Sequence, residues 1–161
     1  MATALPIPLT PFPWGDIAII LALIALNGVL AMSELAIVSA RRARLESITK
    51  KSQLRGAKTA LLLASNPGRF LSTVQIGITL IGIIAGAYSG ASLGGPVAER
   101  LLLLGVPAQW SDDISFTLVV GLTTFTSLIV GELVPKQFAL RAPEPIAVVM
   151  AMPMVVLSRV T

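Results

Sequence analysis

The chain reads as an all-α integral membrane protein: three transmembrane helices, cytoplasmic juxtamembrane amphipathic helices after the first, and a short apolar helix near the C-terminal end. Two observations predict this. Hydrophobic residues make up 55% of the 161 and charged residues only 12%, against about 25% charged in soluble domains. The apolar residues also fall into three long runs, each matching the ~20 residues that span a bilayer, and most basic residues gather in one segment between the first two. A single transmembrane domain over residues 1–161 accounts for the whole length.

The N-terminal stretch "MATALPIPLTPFPWG" carries no basic residue, so it does not read as a signal peptide. Ile17 to Val38 forms the first span, with Asp16 at its start and Asn27, Ser33 and Glu34 as its strongly polar members. The second, Phe70 to Leu93, holds no charge and is opened by "SNPGRF", where Asn66 is placed to cap and Pro67 to occupy the first turn. The third, Ile114 to Val134, follows "WSDD" and carries only Glu132. The last apolar run, Ile146 to Leu157, is too short to span and contains Pro153, which predicts a short interfacial or re-entrant helix over about 145–158.

Residues 41–69 hold eight of the twelve basic side chains (Arg41, Arg42, Arg44, Lys50, Lys51, Arg55, Lys58 and Arg69) against one acid, Glu46. The positive-inside rule puts this segment in the cytoplasm and the N-terminus outside. Its apolar residues Leu45, Ile48, Leu54, Ala57, Leu61 and Leu62 recur at roughly helical spacing, which predicts amphipathic helices on an anionic leaflet rather than a nucleic-acid surface.

Function must come from what interrupts the apolar runs. The absence of cysteine and histidine removes disulfides, the usual zinc and haem sites, and every Ser/His or Cys/His pair. An intramembrane aspartate pair is also missing, since Asp16, Asp112 and Asp113 lie at span ends, so the chain does not read as an enzyme. With the predicted topology, Glu34, Gln75 and Glu132 all fall in the inner part of the bilayer. Ser72, Gln75 and Thr79 share one face of span two, Asn27 and Glu34 one face of span one, and Thr124, Ser127 and Gly131 a face of span three.

Two carboxylates with hydroxyls, amides and no nitrogen or sulfur donor suit a hard cation such as Mg2+. Pro135 lacks an N–H, so it leaves the carbonyl of Gly131 without its helical partner, and glycine lets a neighbour approach closely. The plainer alternative makes Glu132 and Glu34 interfacial anchors, hydrated or paired with Lys136 and Arg41. Similarly, Ser72, Gln75 and Thr79 serve equally as interhelical glue. Gly82, Gly86 and Gly90 form a small-residue stripe that fits packing inside the monomer or between two copies.

Three ordered segments, "NGVLAMSELAIVSARRARLE", "NPGRFLSTVQIGITLIGIIAGAYSGASL" and "GELVPKQFALRAPEPIA", together resemble the transmembrane domain of the CorC/cyclin M (CNNM) family of magnesium transporters. The resemblance runs from Asp16 onward and implies a homodimer in the cell membrane, with export of Mg2+ coupled to Na+ entry. Matched by motif, Ser33 and Glu34 are the family's "SE", and Gly131, Glu132 and Pro135 its "GE..P". The implied Mg2+ site then consists of Ser33, Glu34, Gln75, Thr79, Gly131 and Glu132. Many members carry asparagines where this chain has Ile78 and Gly82, which leaves Gln75, Thr79 or backbone oxygens as the span-two contribution. Nucleotide enters the family through cytoplasmic CBS modules, and these lie outside the present 161 residues. A non-transporting membrane scaffold or regulator of Mg2+ transport is the alternative function.

Overall fold

The computed structural model describes residues 9–52 and 55–160, and among them every regular element is helical. Residues 1–8 and Leu54 lie outside the described part. Helix α1 (Trp14–Ser39) has 26 residues, so at about 1.5 Å per residue it is ~39 Å long and exceeds a hydrocarbon core of ~30 Å. Two short helices, α2 (Arg42–Ser52) and α3 (Arg55–Ser65), lead to α4 (Gly68–Leu103). The chain returns through α5 (Ala108–Leu128), a π-helical turn at Ile129–Leu133 and α6 (Val134–Arg141), and it ends in α7 (Pro143–Val160). The three long apolar rods are Trp14–Ser39, Gly68–Leu103 and Ala108–Arg141.

Two of the rods outrun the spans read from hydropathy. Helix α4 continues ten residues past Leu93 because nothing breaks it until Gly105, whose φ of +90° closes the helix. There the Gly105 and Val106 N–H groups donate to the carbonyls of Leu102 and Leu101, the glycine-terminated C-cap that absorbs orphan carbonyls. The third rod passes through Pro135 to Arg141. The π turn opens the backbone just before the ring, and Pro135 falls in the first turn of α6, where its fixed φ suits the helix. At the start of α4 the N-cap is Pro67 with no side-chain cap bond, so Asn66 does not cap it. Helix α7 runs through Pro153 and exceeds the expected 145–158 at both ends.

In the bundle, α4 packs mainly on α5 and then on α1, and α1 also meets the π turn, α6 and α7. The core lies where α2, α3 and α7 close over the ends of the long helices, around Ile37, Leu45, Leu63, Phe70, Val74 and Ala147. Helix α3 lies flush on α7 because Gly56 has no side chain; a Cβ there would run into the carbonyl of Val148. Leu45 and Ala57 are buried as amphipathic helices require, whereas Leu62 is exposed. A buried acid at the start of α7, Glu144, accepts the Arg41 N–H at 3.4 Å and pairs with Arg44 at 3.7 Å. It ties the basic segment to α7. Elsewhere the rods present Ile76, Leu80, Ile83, Leu118, Leu122 and Phe125 outward, the exposed apolar girth that lipid requires.

Candidate functional site

The glycine stripe settles how α4 meets α5. A Cβ on Gly90 would lie 2.6 Å from Phe116 Cε2 and 2.9 Å from Val120 Cγ2, one on Gly86 would lie 3.8 Å from Thr124 Oγ1, and one on Gly82 would meet nothing within 4 Å. The stripe therefore faces α5 within the monomer, and the two helices diverge toward Gly82. That divergence leaves a pocket of about 230 Å³ lined by Asn27, Gln75, Ile78, Thr79, Gly82, Thr124, Ser127, Leu128 and Glu132. Its volume admits several water molecules.

Three elements aim polar atoms into this space. From α1 comes Asn27, only 3% exposed, whose Nδ2 donates to the carbonyl of Gly131 at 3.4 Å. The carbonyl that Pro135 deprives of its helical donor thus finds one across the interface. Asn27 Oδ1 is buried without a hydrogen-bond partner, an exception that calls for a ligand or water. From α4, Thr79 Oγ1 donates to the Gln75 carbonyl at 2.9 Å, which spends its proton and leaves lone pairs for the pocket. Glu132 enters from the π turn, a distortion that often marks functional sites in membrane helices and elsewhere.

Close approach of α1 to the π turn depends on two glycines. A Cβ on Gly131 would be 3.1 Å from the Ile24 carbonyl, and one on Gly28 would be 3.0 Å from Pro135 Cγ. Gly28 was not singled out by spacing; its place next to Asn27 in an apolar helix was the available signal. Thr124 and Ser127 were recognised as a face, and the structure makes them pocket walls.

The two glutamates do not occupy equivalent positions. Glu132 lines the pocket, whereas Glu34 does not; they are joined through Lys136, whose Nζ lies 2.7 Å from Glu132 Oε1 and 3.7 Å from Glu34 Oε2. Glu34 Oε2 is buried and accepts no hydrogen bond. Arg41, the other expected partner, gives Glu144 its backbone N–H instead. Ser33 is buried and its hydroxyl donates to the Val29 carbonyl at 2.6 Å, away from the pocket wall. Of the six residues expected to hold the ion, the pocket gathers Gln75, Thr79 and Glu132, with Gly131 one bond away through Asn27. Ile78 and Gly82 supply an apolar, open wall on α4. Among the described residues no three acidic, histidine or cysteine side chains converge, so any metal here would rest on carboxylates and neutral oxygens.

Three apolar rods around a polar pocket, capped by amphipathic helices, define a polytopic α-helical membrane domain. The chain belongs to the CNNM family: the description "Cyclin M transmembrane N-terminal domain" matches residues 18–161. It is 50% identical over 132 residues to "UPF0053 protein sll0260" of Synechocystis, covering 82% of this chain and 29% of that protein. It is 37% identical to "UPF0053 protein YhdT" of Bacillus subtilis, covering 82% and 28%, and 29% identical to the "Polyamine export protein" of Haemophilus influenzae, covering 80% and 29%. The chain thus spans less than a third of the length of these curated relatives.

Proposed function

We propose that this domain moves Mg2+ across the cell membrane as a homodimer, in the direction of export and in exchange for entering Na+. The observation that carries the reading is Glu132: a lone carboxylate in a membrane rod, lining a pocket to which Asn27, Gln75, Thr79, Thr124 and Ser127 add amide and hydroxyl groups from α1, α4 and α5 beside an apolar wall of Ile78, Gly82 and Leu128. Intramembrane carboxylates are costly and mark ion pathways. Mg2+ takes one or two carboxylates, neutral oxygens and several retained waters, which is the donor set and the space available. The basic segment on α2 and α3 would lie on the anionic cytoplasmic leaflet, with the N-terminus outside.

Calorimetric titration of Mg2+ into the wild-type protein and its Glu132→Gln and Glu34→Gln variants, each shown first to be folded, tests the site. Glu132→Gln should weaken binding by about 100-fold, the scale of ~2.7 kcal/mol, and Glu34→Gln by less because Glu34 acts through Lys136. Retained affinity in Glu132→Gln would remove Glu132 from the site. Flux into liposomes, with Mg2+ and Na+ gradients varied separately, then separates a transporter from a scaffold. For topology, a Lys51→Cys variant should react with an impermeant thiol reagent only from the cytoplasmic side; labelling only from outside would invert the orientation.

A second reading, export of an aliphatic polyamine, is favoured by the open apolar wall at Ile78 and Gly82 and by the name of the Haemophilus relative. The ammonium of Lys136 already sits between the two carboxylates. Competition of a linear polyamine with Mg2+ in the same titration, lost in Glu132→Gln, would favour it.

A further inference from the structure

We propose that Lys136 is a tethered exchange partner for the transported cation: its ammonium holds Glu132 and Glu34 when the pocket is empty and leaves them when a divalent cation binds. The inference rests on the cation-transport reading above and assigns a role to a residue outside the pocket wall. Glu132 stands between two positions. On one side it lines the oxygen pocket with Asn27, Gln75, Thr79 and Ser127; on the other it accepts the Lys136 ammonium at 2.7 Å. Two cationic groups therefore compete for one carboxylate.

Formal charges indicate which arrangement is stable. With the ammonium in place, the two glutamates and Lys136 carry a net charge of minus one. A divalent cation added in the pocket would turn this to plus one and set two cations against each other across a single carboxylate, where the low local dielectric makes repulsion strong. Moving the ammonium out returns the site to neutrality. The grip on it is already uneven. Its distance to Glu34 Oε2 is 3.7 Å, an ion-pair separation too long for a hydrogen bond, and that oxygen has no hydrogen-bond partner.

Lys136 is also placed to leave. It lies on α6, one turn beyond Glu132 and on the side of the bundle that α2, α3 and α7 close, and its side chain is 28% exposed. A flexible four-carbon stem lets the ammonium swing toward the membrane surface while the stem stays on apolar groups. When the cation departs, the ammonium returns, so the empty site never presents two unpaired carboxylates to a low-dielectric interior. A fixed structural anchor would have no reason to share a carboxylate with an open polar pocket.

The experiment has two readouts. Mg2+ is titrated into the wild type, Lys136→Met and Lys136→Arg, and acylation of Lys136 by an amine-reactive reagent is followed by mass spectrometry in the wild type with and without Mg2+. Removing the competing charge should tighten Mg2+ binding in Lys136→Met by on the order of tenfold, Lys136→Arg should not tighten it, and Mg2+ should speed acylation in the wild type. Acylation should also be faster in Glu132→Gln without Mg2+, a check that does not depend on cation binding. If Mg2+ binds the wild type with no change in acylation and Lys136→Met is no tighter, Lys136 is a static anchor and the exchange is wrong while the cargo reading stands. If Mg2+ binds neither the wild type nor Lys136→Met, the cargo reading and the exchange fall together.

Discussion

The two ends of the α4–α5 contact use the same residue types to opposite purposes. At one end Gly90 fits beneath Phe116 and Val120, Ser89 Oγ donates to the Gly86 carbonyl at 2.9 Å, and Ser115 Oγ donates across the contact to the Gly94 carbonyl. Small residues there bring backbones together, and the hydroxyls are bonded. At the other end Gly82 meets nothing, the helices part, and the hydroxyls and amides of Thr79, Ser127 and Asn27 face a pocket. Of the two buried side-chain atoms without a hydrogen-bond partner among the described residues, Asn27 Oδ1 belongs to the pocket at that second end, and Glu34 Oε2 lies outside the pocket, beside Lys136. Folded proteins satisfy almost all buried polar groups. The Asn27 exception sits beside the π turn and the Glu132 carboxylate, in the part of the fold where packing is least complete.

The sharpest way to break this contrast is to put the same methyl group at both ends. Gly90→Ala should destabilise by about 1–3 kcal/mol, because the Phe116 ring and Val120 must move. It should be visible as a lower thermal midpoint in detergent. Gly82→Ala enters open space and should be neutral or gain up to ~1 kcal/mol from reduced chain entropy. Equal losses at both positions would show that the helices do not diverge.

A smaller effect separates the two groups of hydroxyls. Ser115→Ala removes a donor from the Gly94 carbonyl and should cost about 1 kcal/mol of stability with cation affinity unchanged. Ser127→Ala removes a pocket oxygen and should weaken Mg2+ binding severalfold while the thermal midpoint hardly moves. If Ser115→Ala impaired binding as much as Ser127→Ala, the division of the contact into a structural and a ligand-bearing end would not hold.

Much of the membrane architecture is legible along the chain because its causes are local. A run of apolar residues long enough to cross a bilayer announces itself, and the spans centred on Asn27, Gly82 and Thr124 are all found as helices. Their ends were less legible. Helix α4 stops at the left-handed Gly105 and not at the last residue of the apolar run, and the third rod survives Pro135 because a π turn accommodates the ring. Hydropathy reports contact with lipid, whereas helix ends depend on backbone hydrogen bonds.

Within the site, spacing correctly put Gln75 and Thr79 on one face and Thr124 and Ser127 on another, since both follow from 3.6 residues per turn. The family motif, not spacing, grouped Ser33 with Glu132, and in the structure the Ser33 hydroxyl bonds back to its own helix at Val29. Spacing divided Lys136 and Arg41 between the two glutamates, whereas one ammonium reaches both. Periodicity fixes the angle between residues on one helix but not the rotation of one helix against another.

By itself, then, the sequence determined that this is a three-span membrane domain of the CNNM family, with its basic residues gathered after the first span and a carboxylate at Glu132 that lipid alone would not tolerate. Composition, run length and motif order are properties of the chain. Only the tertiary structure decided that the glycine stripe faces α5, that the helices open at Gly82 into a pocket lined in part by oxygens, and that the one ammonium of Lys136 lies beside both glutamates. Those depend on how deeply each rod sits against its neighbours, which is set by contacts such as Gly131 on Ile24 and Gly28 on Pro135, made between residues about a hundred positions apart in the chain.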